Sequence, residues 1–424
     1  MIPLLLLGSA LGATYNVDVC ARIGVDFVDV DPSNGDDYLT SNTSTPARGV
    51  HLKVIQQGIP QVTIANEWAT ASGMQAGCLL TTLVLDSTKS YTTVVYSEAA
   101  VNGQTVEVFQ DNTGSVLTTY TSGAWSPKAS GTWTTTTTAA YQDWNILAAG
   151  VYAVWRDDLA NANGTLTAYS QQCPSGGSSC FQATSPSGIY IRDTTTAYQY
   201  KYQIAHEFGH ALMYGRYPSS GANNSAAPGV CLGDVADTTG ANGHHFISKE
   251  YQGEAFWEGF ANYYATASYN NNTTETDCAF GLYKTVDWDR DTTDEEPVQF
   301  VDCASATPTI ADPGDTPSSF TIDAEDYLGA YCYAVICAGA PNCNRGTELD
   351  WVGFLWNLDT QGMSPADIAD VYAETRTNGG GYASTGNGYG SGYPAYELAA
   401  GAARVSAAWG TLWAGNDDIY GVHR

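Results

Sequence analysis

Basic side chains are scarce in this sequence: 16 Lys and Arg stand against 44 Asp and Glu in 424 residues, a formal net charge of −28. Phosphate backbones are held by Lys and Arg clusters, so this shortage excludes nucleic acid as a partner and disfavours an anionic membrane surface. Long apolar runs are missing as well. No stretch beyond the N-terminus approaches the ~18 apolar residues that span a bilayer, so no membrane span is expected. Cys-x-x-Cys pairs are absent among the ten cysteines: Cys20, Cys78, Cys173, Cys180, Cys231, Cys278, Cys303, Cys332, Cys337 and Cys343. An even set of this kind favours structural disulfides in an exported chain over thiolate metal sites. Charged residues are only 14% of the total, yet aromatics reach 12%, a packed-core composition that a disordered acidic tail does not have.

The length suggests two or three units of roughly 150 residues. MIPLLLLGSALGA, residues 1–13, has a short apolar run followed by small residues and reads as the end of a secretory signal peptide lacking its basic start; a buried first strand is the alternative. From 14 to 130 the pattern has period two. Val50, Leu52 and Val54 alternate with His51 and Lys53, and Asn102-Gly103 is a hairpin signal between two strand-like runs, so a β-sandwich-like domain is expected here. GTWTTTTTAA, residues 131–140, breaks the composition and reads as a Thr-rich linker. Beyond it the periodicity turns helical. Trp144, Leu147, Ala148, Val151 and Trp155 mark a helix over 141–159, and EAFWEGFANYYATA, ELDWVGFLWNLDT and a last segment from Tyr396 to Trp413 read the same way. GIYIRD, residues 188–193, is a short strand, read either as an edge that could pair with an extended peptide or as support for the following helix. NGGGYASTGNGYGSGY, residues 378–393, reads as a Gly/Tyr loop. The expected fold class is therefore α+β.

KYQIAHEFGHALMYGR, Lys201 to Arg216, carries two of the six histidines four residues apart. At ~100° per residue, with His206 at zero, His210 falls at ~40° and Glu207 at ~100°, while Ile204, Phe208, Ala211 and Leu212 gather on the opposite side. Side chains at i and i+4 lie close enough for two imidazoles to reach one Zn²⁺. Glu207 is displaced towards the rim, facing a solvated cleft, where it can hold a metal-bound water instead of binding the metal. Two solvated histidines on an exposed helix are the alternative. A third ligand is needed. The metzincin solution, a histidine six residues beyond His210, is closed, because Arg216 stands there and Met213 stands where that motif has glycine. The better candidate is Glu258 in FWEGFANYYA, which shares a helix face with Asn262 and Ala265; Glu254 lies near the same face and is the rival.

HEFGH followed by WEGFANYYA resembles the gluzincin branch of zinc metallopeptidases, over roughly 141–356 and not over the N-terminal β region. The resemblance implies a mainly helical zincin-type catalytic domain over 141–424 and one Zn²⁺ per chain. It makes His206, His210 and Glu258 the ligands and Glu207 the general base. Asn262 stands where thermolysin-like members place an aspartate that accepts a hydrogen bond from a ligand histidine; Asn can still accept, without the charge. The oxyanion donor would be a Tyr or His, with His244, His245, Tyr251 and Tyr264 as candidates.

Two acidic clusters, DVDPSNGDD at 29–37 and DWDRDTTDEE at 287–296, raise Ca²⁺ as a further ligand, but neither has EF-hand spacing and solvated acidic loops are the favoured reading. The expectation is a secreted monomeric zinc metalloendopeptidase acting on a peptide or protein substrate. Two rivals are an adhesion protein using the same scaffold without catalysis, which an intact Glu207 disfavours, and a gluzincin aminopeptidase, which would need an acidic anchor for a substrate amino terminus that the sequence does not display.

Overall fold

The computed structural model describes residues 12–28, 44–113, 116–138, 142–157, 164–174, 176, 179–183, 185–192, 196–216, 250–270, 277–279, 299–301, 309–311, 321–322, 345–346, 348–378 and 395–420. The segment expected as a signal peptide, through residue 11, both acidic clusters, His244, His245 and the Gly/Tyr stretch beyond Asn378 lie outside these residues. The class is α+β.

Period-two alternation produces the strands β1 (Thr14–Ile23), β2 (Thr45–Pro46), β3 (Val50–Gln56), β4 (Val62–Trp68), β5 (Leu83–Asp86), β6 (Tyr91–Val101), β7 (Gln104–Phe109) and β8 (Thr119–Thr121). In β3, Val50, Leu52 and Val54 are buried and the intervening His51 and Lys53 half-buried on the other face. Asn102 and Gly103 join β6 to β7 with φ of 48° and 75°, the left-handed values that a two-residue type I′ hairpin demands and that Asn and Gly tolerate. The Asn102 amide also donates to the carbonyls of Val154 and Trp155 at 3.0 and 2.9 Å, satisfying the last turn of α1 (Gln142–Asp157).

The Thr-rich stretch expected as a linker is instead a strand, β9 (Gly131–Thr136), paired in parallel with β1. Low complexity suggested a tether, but Thr is β-branched and fits a pleated surface. The larger sheet also draws on both sides of this stretch. It runs β11 (Cys180–Gln182), β12 (Gly188–Tyr190), β10 (Thr165–Tyr169), β7, β6, β3, β4, with β8 beside β6. The strand in GIYIRD is thus not an edge, because β12 lies between β10 and β11 and both its sides are paired.

Helix α1 packs on β6 and β7, and α2 (Lys201–Arg216) on α1, β11 and β12, so the sheet supports the histidine helix from behind. One continuous core joins the β1, β3 and β6 side chains to Ile204, Phe208, Ala211 and Leu212, the apolar back of α2. Against α2 lies α3 (Gln252–Tyr269), and against α3 lies α4 (Glu348–Thr360). A two-stranded ribbon of β13 (Glu250–Tyr251) and β18 (Arg345–Gly346) ties the starts of α3 and α4 together. Between them in sequence, β14 (Asp277–Ala279), β15 (Gln299–Val301), β16 (Thr309–Ala311) and β17 (Thr321–Ile322) form an antiparallel meander that the sequence pattern did not signal. The chain ends in α5 (Pro365–Asn378), α6 (Ala395–Val405) and α7 (Ala407–Tyr420); the single last helix expected over 396–413 is broken at Ser406.

Glycine sets how closely these helices approach. A Cβ on Gly209 would stand 3.1 Å from the Ala261 Cα, and one on Gly259 would stand 2.5 Å from the Trp351 Cβ and 3.1 Å from the Glu348 carbonyl oxygen. Gly259→Ala is therefore expected to push α4 off α3 and to cost about 1–3 kcal/mol through overpacking. A urea melt reads this as a lower midpoint, and an unchanged midpoint would show that the seam can yield freely.

Two disulfides occur among the described residues. Cys173–Cys180 closes the loop whose short spacing marked it, and Cys20–Cys78 links positions 58 apart, a pairing that spacing does not reveal. No helix among the described residues is long and apolar enough to cross a membrane.

Candidate metal centre

The α2–α3 seam brings two imidazoles and a carboxylate to one point. His206 Nε2 and His210 Nε2 are 3.1 Å apart, and each lies 3.2 Å from Glu258 Oε2. His206 and His210 come together because they are one helical turn apart on α2. Glu258 meets them because Gly209 lets α3 approach at the level of the site. All three are buried, and they form a group of side chains that could hold a metal ion. Their spacing fits one. Ligand atoms ~2.0–2.1 Å from a single tetrahedral ion stand roughly 3.3 Å from one another, close to the 3.1 and 3.2 Å found here. The chemistry fits as well, since three electron-pair donors packed this tightly away from water are best reconciled by a shared cation.

Among the described side chains, Glu258 is the carboxylate at the histidines. Glu254 lies one turn earlier on α3, and its side chain is outside the described residues. Glu207 follows His206 on α2 and is not one of the three clustered groups. Its expected place beside a solvated cleft is corrected: Glu207 is 6% exposed, since the front of α2 is covered as well as its back. The His206 and His210 rings meet edge to face, with centroids 4.6 Å apart.

Asn262, one turn after Glu258, contacts the cluster: its Oδ1 accepts from His206 Nδ1 at 2.9 Å. Two neighbours were not anticipated. The Asn262 Nδ2 donates to Glu348 Oε2 at 2.7 Å, across 86 positions of sequence. Trp257 stacks on the His210 ring, centroids 5.1 Å apart and planes 14° from parallel, forming a wall of the site. The FWEGFA motif contains this tryptophan, but only the turn of α3 against α2 reveals what it faces.

Of the four candidate oxyanion donors, His244 and His245 are outside the described residues, and Tyr251 is in β13 with its side chain undescribed. Tyr264 is fully buried in the α2–α3 seam, where its Cβ and ring edge pack over Gly209 and its ring stacks on Phe260.

Comparison with known proteins adds no relative: no family model, no curated protein and no solved structure matches the chain. The chemistry of this centre is therefore read from its own residues.

Proposed function

We propose that this chain is a secreted zinc-dependent metalloendopeptidase with a gluzincin-type site, working as a monomer on peptide or protein substrates. The observation that carries the reading is the convergence of His206 Nε2, His210 Nε2 and Glu258 Oε2, with Glu207 beside a ligand on the same helix and outside the cluster. Two imidazoles and one carboxylate leave one position of a tetrahedral ion open, the pattern of catalytic rather than structural zinc. When bound, zinc supplies a Lewis acid for the scissile carbonyl and an acidified water at neutral pH.

The chain's own residues do the rest. The Glu207 carboxylate takes a proton from the attacking water and passes it to the leaving amine, acting first as base and then as acid. Burial around Glu207 and the Trp257 wall limit bulk water, so that charge on Glu207 is felt strongly by a bound peptide. His206 and His210 are held on a helix whose back is set into the core, which preserves their geometry through the reaction. Export is supported by the two disulfides, which persist in oxidising compartments.

The test is a library of unmodified peptides with product masses read after incubation with the purified chain. Cleavage at internal bonds, stopped by a chelator and restored by zinc, is expected. Zinc-loaded protein that cleaves no internal bond across the library overturns the proposal, and cleavage confined to amino-terminal residues would reassign it to an aminopeptidase.

A further inference from the structure

Glu348 is a carboxylate with 0% exposure in the first turn of α4. Burying such a group is costly unless hydrogen bonds compensate it, and a helix N-terminus, where amide dipoles favour an anion, offsets part of the cost. One of its oxygens receives the Asn262 Nδ2 at 2.7 Å. Glu348 is not in the three-atom cluster, and the β13–β18 ribbon together with the close seam at Gly259 keeps it beside α3.

An amide side chain is a donor at one end and an acceptor at the other, whereas a carboxylate only accepts. The Glu348 carboxylate therefore decides which way Asn262 lies. With Nδ2 committed to Glu348, Oδ1 faces His206 Nδ1 at 2.9 Å, and an acceptor there requires the proton to sit on Nδ1. Nε2 is then the atom with the lone pair, and it is the one that faces His210 Nε2 and Glu258 Oε2. We propose that Glu348 is a positioning residue of the metal centre: through Asn262 it holds His206 in the Nδ1–H form and so makes Nε2 the metal-binding atom. The inference rests on the metal-site reading above and extends it to a residue on a third helix. Charge is displaced by one residue here, since a neutral amide touches the histidine and the anion stands behind it.

Two measurements test it on the full chain. The first is long-range ¹⁵N–¹H correlation spectroscopy of ¹⁵N-histidine protein without added metal, with His206 assigned by its loss in His206→Gln. Wild type is expected to show His206 protonated at Nδ1, and Glu348→Gln, whose amide can pair with Asn262 in either sense, is expected to show both tautomers. Finding His206 protonated at Nε2 in wild type, or an unchanged spectrum in the variant, overturns the proposal whether or not the protein binds zinc, so failure of the metal reading is told apart.

The second is zinc affinity by chelator competition. Glu348→Gln should bind roughly 10–100-fold more weakly, the usual effect of losing an outer partner of a ligand histidine. The double variant Asn262→Asp with Glu348→Gln moves the carboxylate to the histidine and the donor amide behind it. It should regain most of that affinity. A merely structural role for Glu348 predicts no such rescue, and a double variant as weak as the single one counts against the proposal. If Glu348→Gln does not fold, the wild-type tautomer and the double variant still decide it.

Discussion

Glu207→Gln is expected to lower peptide hydrolysis by roughly 10²–10⁴-fold while zinc content stays at the wild-type value. That loss corresponds to ~3–5 kcal/mol of barrier. On the proposed mechanism the substitution preserves shape and removes only the ability to take the water's proton. Because Glu207 is outside the cluster of His206, His210 and Glu258, the three atoms that could hold an ion are untouched. Glu207 is buried, so the fold of the variant is checked beside its rate. Elemental analysis, a thermal melt and initial rates on one batch separate the outcomes. A variant that loses zinc together with activity would make Glu207 a ligand. A zinc-loaded variant as fast as wild type would leave the centre a structural one.

The parts of this molecule that sequence made legible are those governed by local periodicity. The alternation at Val50, Leu52 and Val54, the Asn102-Gly103 hairpin, the helices of α1 to α4 and the i, i+4 pairing of His206 with His210 all depend on neighbours within a few positions. Glu258 was singled out for a different reason: the resemblance of its motif pointed to it, and no spacing along one helix could have done so. What stayed hidden needed contacts far apart in the chain. Glu348 meets Asn262 across 86 positions, and ELDW gives no sign that its first carboxylate turns towards another helix. The parallel pairing of β9 with β1 was masked by a low-complexity composition, although each Thr in it favours a strand. Glu207 was misjudged as facing solvent because helical geometry places a residue on a face without saying what covers that face.

Replacing Glu258 with Ala is expected to weaken zinc binding by more than the ~10–100-fold that outer-shell changes cause, whereas Glu254→Ala should leave it nearly unchanged. Glu258 Oε2 stands 3.2 Å from the Nε2 atoms of His206 and His210, so truncation takes the candidate three-ligand set to two and removes its carboxylate. Two neutral imidazoles neither complete a tetrahedral set nor offset the charge of a divalent ion in a buried seam. The variant also leaves space where the carboxylate stood, so its fold is checked by circular dichroism before the metal is counted. Retention of zinc by Glu258→Ala with loss in Glu254→Ala would move the third ligand one turn along α3. The same elemental analysis decides the ion itself. Two histidines and a carboxylate also serve non-haem iron when the remaining positions of an octahedron stay open, so iron in place of zinc in protein purified without added metal would keep the three ligands and reject the hydrolase.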